Sequence, residues 1–327
     1  MEDSKIFISR TPLRLSFSGG GTDMPYFYKK YGGLTVSTTI KKYIYVLVKP
    51  HNNFQEKYRL NYSITENVNS IEKIKNIRVR LVLKKLKIKS PLFISTFSDI
   101  PANTGLGSSS SFTIGLIVAL IKIIKKKMSK SDIAELAYII EKKITKNSIG
   151  KQDHYIAAHG GLILTRYNRR KVTVNRIKIS NKNKIELFNN CYMLWTGITR
   201  QASYILEDQQ TNFKNNVNLL KELNKVTNKL NQQLEVKKIN LSKIAEQVNY
   251  NWKLKQDFSK HITNKRINTI YNDLIKLGAI GGKLLGAGSG GFIFFIARKN
   301  KISKIKKKMK NYKIFKIENS SNGSEII

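Results

Sequence analysis

Hydrophobic and polar positions alternate in short runs near the start of the chain. Residues 6–18 and 34–49 are rich in Val, Ile, Thr and Tyr, a composition typical of β-strands. The glycine-rich segment "GGGTD" at 19–23 lies between them and is predicted to be a turn. The chain is therefore expected to begin with β-structure.

The hydrophobic period changes to that of a helix in the middle of the chain. A predicted strand over 91–102 leads into the loop "NTGLGSSSSF" at 103–112, and the apolar residues that follow recur at helical spacing. Ser129 and Asp132 predict a capping box at the start of the next helix, which carries Glu141 near its end. The glycine–serine loop is thus expected to open a helix.

The second half of the chain repeats this order of strands and helices. "NCYMLWTG" at 190–197 predicts a buried strand, residues 201–277 are mostly helical in pattern, and "GGKLLGAGSGGFIFFIA" predicts a strand, a glycine turn and a strand. A lysine-rich helix is expected at about 300–311. These patterns predict an α+β protein of two domains, residues 1–185 and 186–327.

Composition excludes several classes of protein. The 327 residues are 41% hydrophobic, which is enough to fill a core. The single cysteine, Cys191, excludes an internal disulfide framework, and the four histidines lack the spacing of a zinc site. The N-terminus is charged, and the longest apolar run, 115–124, is too short to cross a bilayer. We therefore expect a cytoplasmic protein without a membrane partner.

The formal net charge of +39 raises the question of a nucleic-acid partner. Of the 60 basic residues 12 are Arg and 48 are Lys, and the lysines are dispersed among Ile and Asn. Nucleic-acid surfaces instead concentrate Arg and stacking aromatic residues. The pattern favours a solvated lysine coat, so no nucleic-acid partner is expected, although the charge would steer anionic substrates towards the protein.

The glycine–serine loop has two interpretations. A glycine-rich loop at a helix N-terminus presents free backbone N–H groups and the positive end of the helix dipole, which bind phosphate. A serine-rich N-cap without a ligand would have the same composition. No Gly-Lys-Ser or Gly-Lys-Thr loop and no protein-kinase catalytic loop occurs in the sequence. Gly286, Gly288 and Gly291 have dinucleotide-binding spacing but precede a predicted strand, which indicates a hairpin.

Three separated motifs favour the phosphate interpretation. They are "RTPLRLSFSGGGTD" at 10–23, "PANTGLGSSSSF" at 101–112 and "GGKLLGAGSGGF" at 281–292. In this order they resemble the GHMP small-molecule kinases, and the middle motif matches the family signature Pro-x-x-x-Gly-Leu-Gly-Ser-Ser at every fixed position. The resemblance implies an N-terminal half like ribosomal protein S5 domain 2 and a ferredoxin-like C-terminal half, with the active site between them.

The resemblance also implies roles for individual residues. The glycine–serine loop would hold the phosphates of ATP through Asn103, Thr104, Gly105, Leu106, Gly107, Ser108, Ser109 and Ser110. Ser108 and Glu141 would share Mg²⁺, which needs few protein ligands because it keeps several waters. Asp153 is the predicted catalytic base, and Arg14 would bind the transferring phosphate or lower the pKa of the reacting hydroxyl. Taken alone, these residue types would also fit a helix N-cap, an exposed helix charge and a strand-edge cation.

Within the family, "GGGTD", "GKQDHYIAAHGG" and "WTGITRQASYILEDQ" most resemble the sugar kinases that phosphorylate D-glycero-D-manno-heptose 7-phosphate at its anomeric oxygen. Galactokinase-type sequences carry Gly-Glu-His-Thr-Asp where this chain has "GGGTD" at 19–23. Without those Glu and His side chains, the wall of the substrate pocket would be roomier and less acidic. The predicted substrate-binding residues are Gly20, Gly21, Thr22, Asp23, Lys151, Arg200, Gly286 and Gly288. Arg200 and Lys151 are the candidates for binding the 7-phosphate.

The sequence leaves two other functions open. The same fold would serve a kinase for a free sugar such as fucose or galactose. A basic RNA-binding protein on a kinase-like scaffold is the other alternative, but it would have no chemical use for Asp153, Arg14 and Ser108 together. The oligomeric state also stays open, a homodimer included.

Overall fold

The computed structural model describes residues 5–51, 56–146, 149–199 and 203–327. The strands of the first half are β1 (Phe7–Ser18), β2 (Gly33–Pro50), β3 (Tyr58–Asn61), β4 (Thr65–Val68), β5 (Leu92–Ser98), β6 (Leu162–Tyr167) and β7 (Val172–Arg176). Its helices are α1 (Pro25–Tyr31), α2 (Ile77–Leu86), α3 (Ser108–Ile123), α4 (Lys130–Ile144) and α5 (Gln152–His159). A short 3₁₀ turn covers Ile71–Lys73.

The other described helices follow in the second half of the chain. They are α6 (Asn181–Asn189), α7 (Ser203–Thr211), α8 (Phe213–Leu234), α9 (Leu241–Gln256), α10 (Lys265–Leu277) and α11 (Lys299–Lys308). Its strands are β8 (Cys191–Trp195), β9 (Ala279–Leu284), β10 (Phe292–Ala297), β11 (Ile314–Lys316), β12 (Asn319–Ser320) and β13 (Glu325–Ile326). None of the helices within these described ranges has the length and apolar content to cross a bilayer.

The long strand β2 organises the first sheet. It pairs with β1, β5, β6 and β12, and the sheet has nine strands among the described residues. The last two strands of the chain return to it, since β12 pairs with β2 and β13 pairs with β1. In the described part of the second half, β11, β8, β10 and β9 form a four-stranded antiparallel sheet.

The hydrophobic core explains why β1 and α3 are held together. Leu13, Leu15 and Phe17 of β1 are fully buried, and they belong to one apolar cluster with the inner residues of α3. The same cluster includes Phe294 of β10 and Ile244 of α9, so the core continues from one half to the other. This packing places the N-terminus of α3 beside β1, which matters for the site.

Most of the predicted elements are present. The helix after the glycine–serine loop is α3, and the capping box of Ser129 and Asp132 starts α4. The sequence patterns did not predict α2 or the short α5. The predicted domain boundary at residue 185 stays a prediction, and it falls within α6.

Candidate active site

A cavity of about 500 Å³ opens where β1, the N-terminus of α3 and the start of α5 meet the turn after β9. Such a volume suits a small-molecule substrate. The sequence-predicted residues that line it are Arg14, Gly20, Gly21, Asp23, Asn103, Gly105, Gly107, Ser108, Ser109, Ser110, Glu141, Asp153 and Gly286. The fold therefore brings together residues from all three sequence motifs.

The glycine–serine loop ends at Gly107, which has a φ of 75° and precedes the first residue of α3. In the described part of the chain, no side chain caps this helix. Ser108, Ser109 and Ser110 of its first turn line the cavity, and no side-chain oxygen of a described residue caps their N–H groups. Free N–H groups at a helix N-terminus bind phosphate oxygens, so the residues present fit the phosphates of ATP.

Two residues of the predicted ATP loop have a different position. The Thr104 hydroxyl donates to the Pro101 carbonyl at 3.1 Å, and the Leu106 side chain is fully buried. The Leu106 carbonyl accepts a hydrogen bond from the Arg14 amide at 3.1 Å. Both side chains are therefore directed into the protein instead of forming the cavity wall, and the Leu106 carbonyl joins the loop to β1.

The third motif approaches this loop closely. A Cβ on Gly286 would lie 2.7 Å from the Gly105 Cα, and the φ of Gly286 is 75°. A side chain there would force the two loops apart. Gly286 therefore lines the cavity, whereas Gly288 packs on the backbone of Ile262, away from the cavity wall.

Arg14 and Asp153 form a bidentate ion pair in the cavity. The Arg14 Nε donates to Asp153 Oδ1 at 2.7 Å, and Nη2 donates to Oδ2 at 2.8 Å. Nη1 donates to the Gly105 carbonyl at 2.5 Å. Each carboxylate oxygen accepts more than one hydrogen bond, so Asp153 keeps acceptor capacity for a substrate hydroxyl. The fork of Arg14 thus fixes the carboxylate beside the phosphate loop.

Glu141 is the centre of a buried hydrogen-bond network. Its side chain is 1% exposed. The carboxylate accepts hydrogen bonds of 2.6 to 3.1 Å from Ser109, Ser110, Thr113, His154 and Arg78. Burial raises the pKa of Glu141, but the hydrogen bond and charge of His154, with Arg78 and Ser109, outweigh it and hold the pKa well below its usual value. The carboxylate is therefore ionised in the folded protein.

Replacing Glu141 with Gln should destabilise the protein by about 2–4 kcal/mol at pH 7. The buried groups that donate hydrogen bonds to the carboxylate, among them His154 and Arg78, would lose their negatively charged acceptor. A carboxyl whose pKa is lowered by folding contributes its full stability at pH values above its pKa in the unfolded state. This contribution is lost as the pH falls from there through the lower pKa of the folded state. The difference between wild type and Glu141→Gln should therefore shrink below the usual pKa of 4.5. Urea unfolding at pH 7 and pH 4 measures this.

The exposed Glu246→Gln on α9 is the matched control, and it should unfold like the wild type at both pH values. A Glu141→Gln protein as stable as the wild type at pH 7 would show that the network does not depend on the charge.

The predicted magnesium ligands are adjacent in the cavity wall. Ser108 and Glu141 both line it, but the hydroxyls that donate to Glu141 are those of Ser109, Ser110 and Thr113, at 2.6 to 2.9 Å. Within the described ranges, no three His, Cys, Asp or Glu side chains form a cluster that could hold a metal. A buried carboxylate with serine hydroxyls is a donor set that fits Mg²⁺, whose other ligands would be waters and phosphate oxygens. The sharing of the ion by Ser108 and Glu141 stays a prediction.

The glycine turn after β1 holds Asp23 in the cavity wall. Asp23 Oδ1 accepts from the Gly21 amide and Oδ2 accepts from the Gln152 amide, both at 2.9 Å. Burial raises the pKa of Asp23, the Gln152 amide lowers it and the charge of Asp153 raises it, with a net increase. The Thr22 hydroxyl donates to the Leu34 carbonyl at 2.8 Å, so Thr22 stabilises the turn, and it is not among the described residues that line the cavity.

Of the two predicted ligands of the 7-phosphate, the structure describes Lys151. The Lys151 ammonium donates to both carboxylate oxygens of Glu135, at 2.8 and 2.7 Å, and lies 4.8 Å from the centre of the Tyr138 ring. Lys151 is not among the described residues that line the cavity. The charge of Lys151 is therefore already paired with the Glu135 carboxylate, and its assignment to the 7-phosphate stays a prediction. Arg200 lies outside the described residues.

The structure adds three cations that the sequence interpretation missed. Arg78 of α2, Lys255 of α9 and Lys283 of β9 all line the cavity. Nothing in the sequence around Arg78 or Lys255 indicates this position. Lys283 carried a signal, because it is a charged residue within the predicted strand of the third motif, where apolar neighbours predict burial.

Two family models match the chain. The GHMP kinases N terminal domain matches residues 72–161, and the GHMP kinases C terminal domain matches residues 234–314. The chain is also 31% identical, over 89% of its length and 89% of the relative's, to the D-glycero-alpha-D-manno-heptose 7-phosphate kinase of Campylobacter jejuni. The chain belongs to the GHMP kinase family. As a GHMP kinase it is an ATP-dependent phosphotransferase, which agrees with the phosphate loop and the Arg14–Asp153 pair.

Other relatives of this GHMP kinase confirm the predicted two-half fold. The crystal structure of a D-glycero-D-manno-heptose 1-phosphate kinase from Bacteroides thetaiotaomicron superposes with a TM-score of 0.74, at 21% identity and with 98% of each chain covered. The L-fucokinase/L-fucose-1-P guanylyltransferase of Bacteroides fragilis is 25% identical over 90% of this chain, which spans 35% of that longer enzyme.

Proposed function

We propose that this GHMP kinase phosphorylates the anomeric C1 hydroxyl of D-glycero-D-manno-heptose 7-phosphate, with ATP and Mg²⁺, to give the 1,7-bisphosphate. The observation that carries the reaction is the Arg14–Asp153 pair beside the free N-terminus of α3. The similarity to the Campylobacter jejuni enzyme over 89% of both chains supports this sugar.

The residues account for each part of a phosphoryl transfer. The anomeric oxygen forms a bond to the γ-phosphorus of ATP as the bond to the bridging oxygen breaks and ADP leaves. Asp153 accepts the hydroxyl proton, while Arg14 and the N–H groups of α3 stabilise charge on the transferring phosphate. A divalent ion, when bound, offsets the negative charge of the phosphates. We expect Glu141 and Ser108 to hold it.

The glycine turn supports a sugar substrate. Asp23 is held rigidly by the Gly21 and Gln152 amides and would accept hydrogen bonds from sugar hydroxyls. An anomeric phosphate is the group through which a nucleotidyl transferase activates a sugar. We therefore infer that the product supplies nucleotide-activated heptose for surface polysaccharide synthesis.

A substrate panel tests the proposed function. We expect kcat/KM for D-glycero-D-manno-heptose 7-phosphate to exceed that for galactose, fucose and mevalonate by about 100-fold or more, because a second phosphate adds charge-assisted hydrogen bonds. ADP release measures the rate, and phosphorus NMR identifies an anomeric phosphate in the product. Mannose 6-phosphate serves as the control for a phosphorylated sugar of different length. A preference for fucose or galactose would replace this proposal with that of a free-sugar kinase.

A further inference from the structure

Lys283 is an unusually placed cation. It lies in β9 between Gly282 and Leu284, its side chain is only 2% exposed, and it reaches the cavity wall. Within the described ranges, no hydrogen bond or ion pair involves its ammonium group. Burying an ammonium group without a counter-charge is costly, so the position is explained better by a ligand than by packing.

The charged groups around Lys283 are also cations. Burial lowers the pKa of Lys283 well below its usual value, and the charges of Lys255 and Arg14 lower it further. The Lys255 ammonium donates to the Gly286 carbonyl at the rim of the cavity. Arg14 already has a counter-charge in Asp153, whereas Lys283 has none among the described residues, so an anion in the cavity would be attracted to Lys283 in particular. A phosphate dianion has the charge and the acceptor oxygens that this arrangement requires.

The cations of the cavity wall contact different elements of the fold. The charges that act on Glu141 come from His154 and Arg78, on the side where the phosphates of ATP would bind. The charges that act on Lys283 come from Lys255 and Arg14. Arg78 donates to Glu141, which also accepts from Ser109 in the first turn of α3. Lys255 donates instead to the Gly286 carbonyl in the turn after β9, and Lys283 lies in β9 itself. The two lysines therefore belong to the part of the cavity wall that the second half of the chain contributes.

We propose that Lys283, with Lys255 beside it, binds the phosphate group that the acceptor sugar already carries. This inference rests on the proposed function for the identity of the sugar. It assigns the second phosphate to the second half of the chain, to residues of α9 and β9, in place of Lys151, whose charge Glu135 holds. The two lysines would then select a phosphorylated sugar over a free one.

The test is Lys283→Met, assayed with D-glycero-D-manno-heptose 7-phosphate and with the same heptose lacking phosphate. We expect KM for the phosphorylated sugar to rise by about 10- to 100-fold, as for the loss of a hydrogen bond between charged groups. For the free heptose, kcat/KM should change by less than about 3-fold, because a neutral sugar gains little from the ammonium. The exposed Lys276→Met on α10 removes the same charge from the surface and should behave as the wild type.

The melting temperature of Lys283→Met is the control that tells whether this variant folds. Because Met replaces a buried charge by an apolar chain of similar length, the melting temperature without ligand should equal that of the wild type or exceed it by about 1–3 °C. The heptose 7-phosphate alone should raise the melting temperature of the wild type more than that of Lys283→Met. Equal shifts in the two proteins would overturn the proposal.

The outcomes separate this inference from the proposed function. An equal loss on both forms of heptose would overturn the subsite and assign Lys283 to the transferring phosphate, with the function intact. If the wild type prefers another sugar phosphate, the proposed function is wrong, and a selective loss in Lys283→Met on that sugar would still support the subsite. A wild type that prefers free sugars would overturn both.

Discussion

Asp153→Asn is expected to lower kcat with the preferred sugar by about 100- to 10,000-fold, the range for removal of a general base. Asparagine keeps the shape and one acceptor oxygen, so the substrate should still bind, but it cannot take the hydroxyl proton. It also removes the charge from a carboxylate that receives two hydrogen bonds from Arg14. Because the asparagine still binds the substrate hydroxyl, KM should change much less than kcat. ADP release at saturating ATP and sugar measures both.

The control for this variant is Asp273→Asn, which removes the same charge from an exposed position on α10. It should have wild-type kcat. If Asp153→Asn retained kcat within about 3-fold, the hydroxyl proton would leave by another route. Asp153 would then have only an orienting role, and the base in the proposed mechanism would be wrong.

Arg14→Met is expected to lower kcat by about 100-fold or more, as for other arginines that stabilise a transferring phosphate. The substitution removes a charge beside the phosphate loop, and it leaves Asp153 without its bidentate partner. It also removes the donor to the Gly105 carbonyl, so the loop loses a contact that fixes its position. Steady-state kinetics give kcat for Arg14→Met and, for comparison, for Arg14→Lys.

Arg14→Lys separates charge from geometry. Lysine restores the positive charge but not the planar fork, so we expect it to recover about 10-fold of the lost kcat. Arg298→Met, an exposed position before α11, is the matched control. Wild-type kcat in Arg14→Met would limit Arg14 to a structural role. Full recovery in Arg14→Lys would show that charge alone is sufficient.

The two halves of the molecule contribute different parts of the site. The first supplies the phosphate loop, the Arg14–Asp153 pair and Glu141. The second supplies Lys255, Lys283 and Gly286, which approaches Gly105 closely enough to exclude a side chain. A change in the turn after β9 would therefore move the phosphate loop as well as the proposed substrate subsite.

The sequence was sufficient for the family, the fold class and the central chemistry. The reason is physical, since a glycine–serine loop before an apolar helical pattern leaves few structures open, and its free N–H groups are a consequence of local geometry. Arg14, Asp153 and Glu141 were identified by resemblance to motifs, and the fold brings all three to one cavity. The local pattern did not predict that two of these loop residues, Thr104 and Leu106, direct their side chains inward.

Only the tertiary structure decided how the charges are paired. The partner of Lys151 is Glu135, on the preceding helix α4, and the two cations near Lys283 come from α9 and β1. Residue type and local pattern do not determine such distances, because they depend on how elements distant in the chain pack. The sequence therefore determined that a phosphate loop, an acid and an arginine are present, whereas packing decided that Arg14 pairs with Asp153 and which of the many lysines line the cavity.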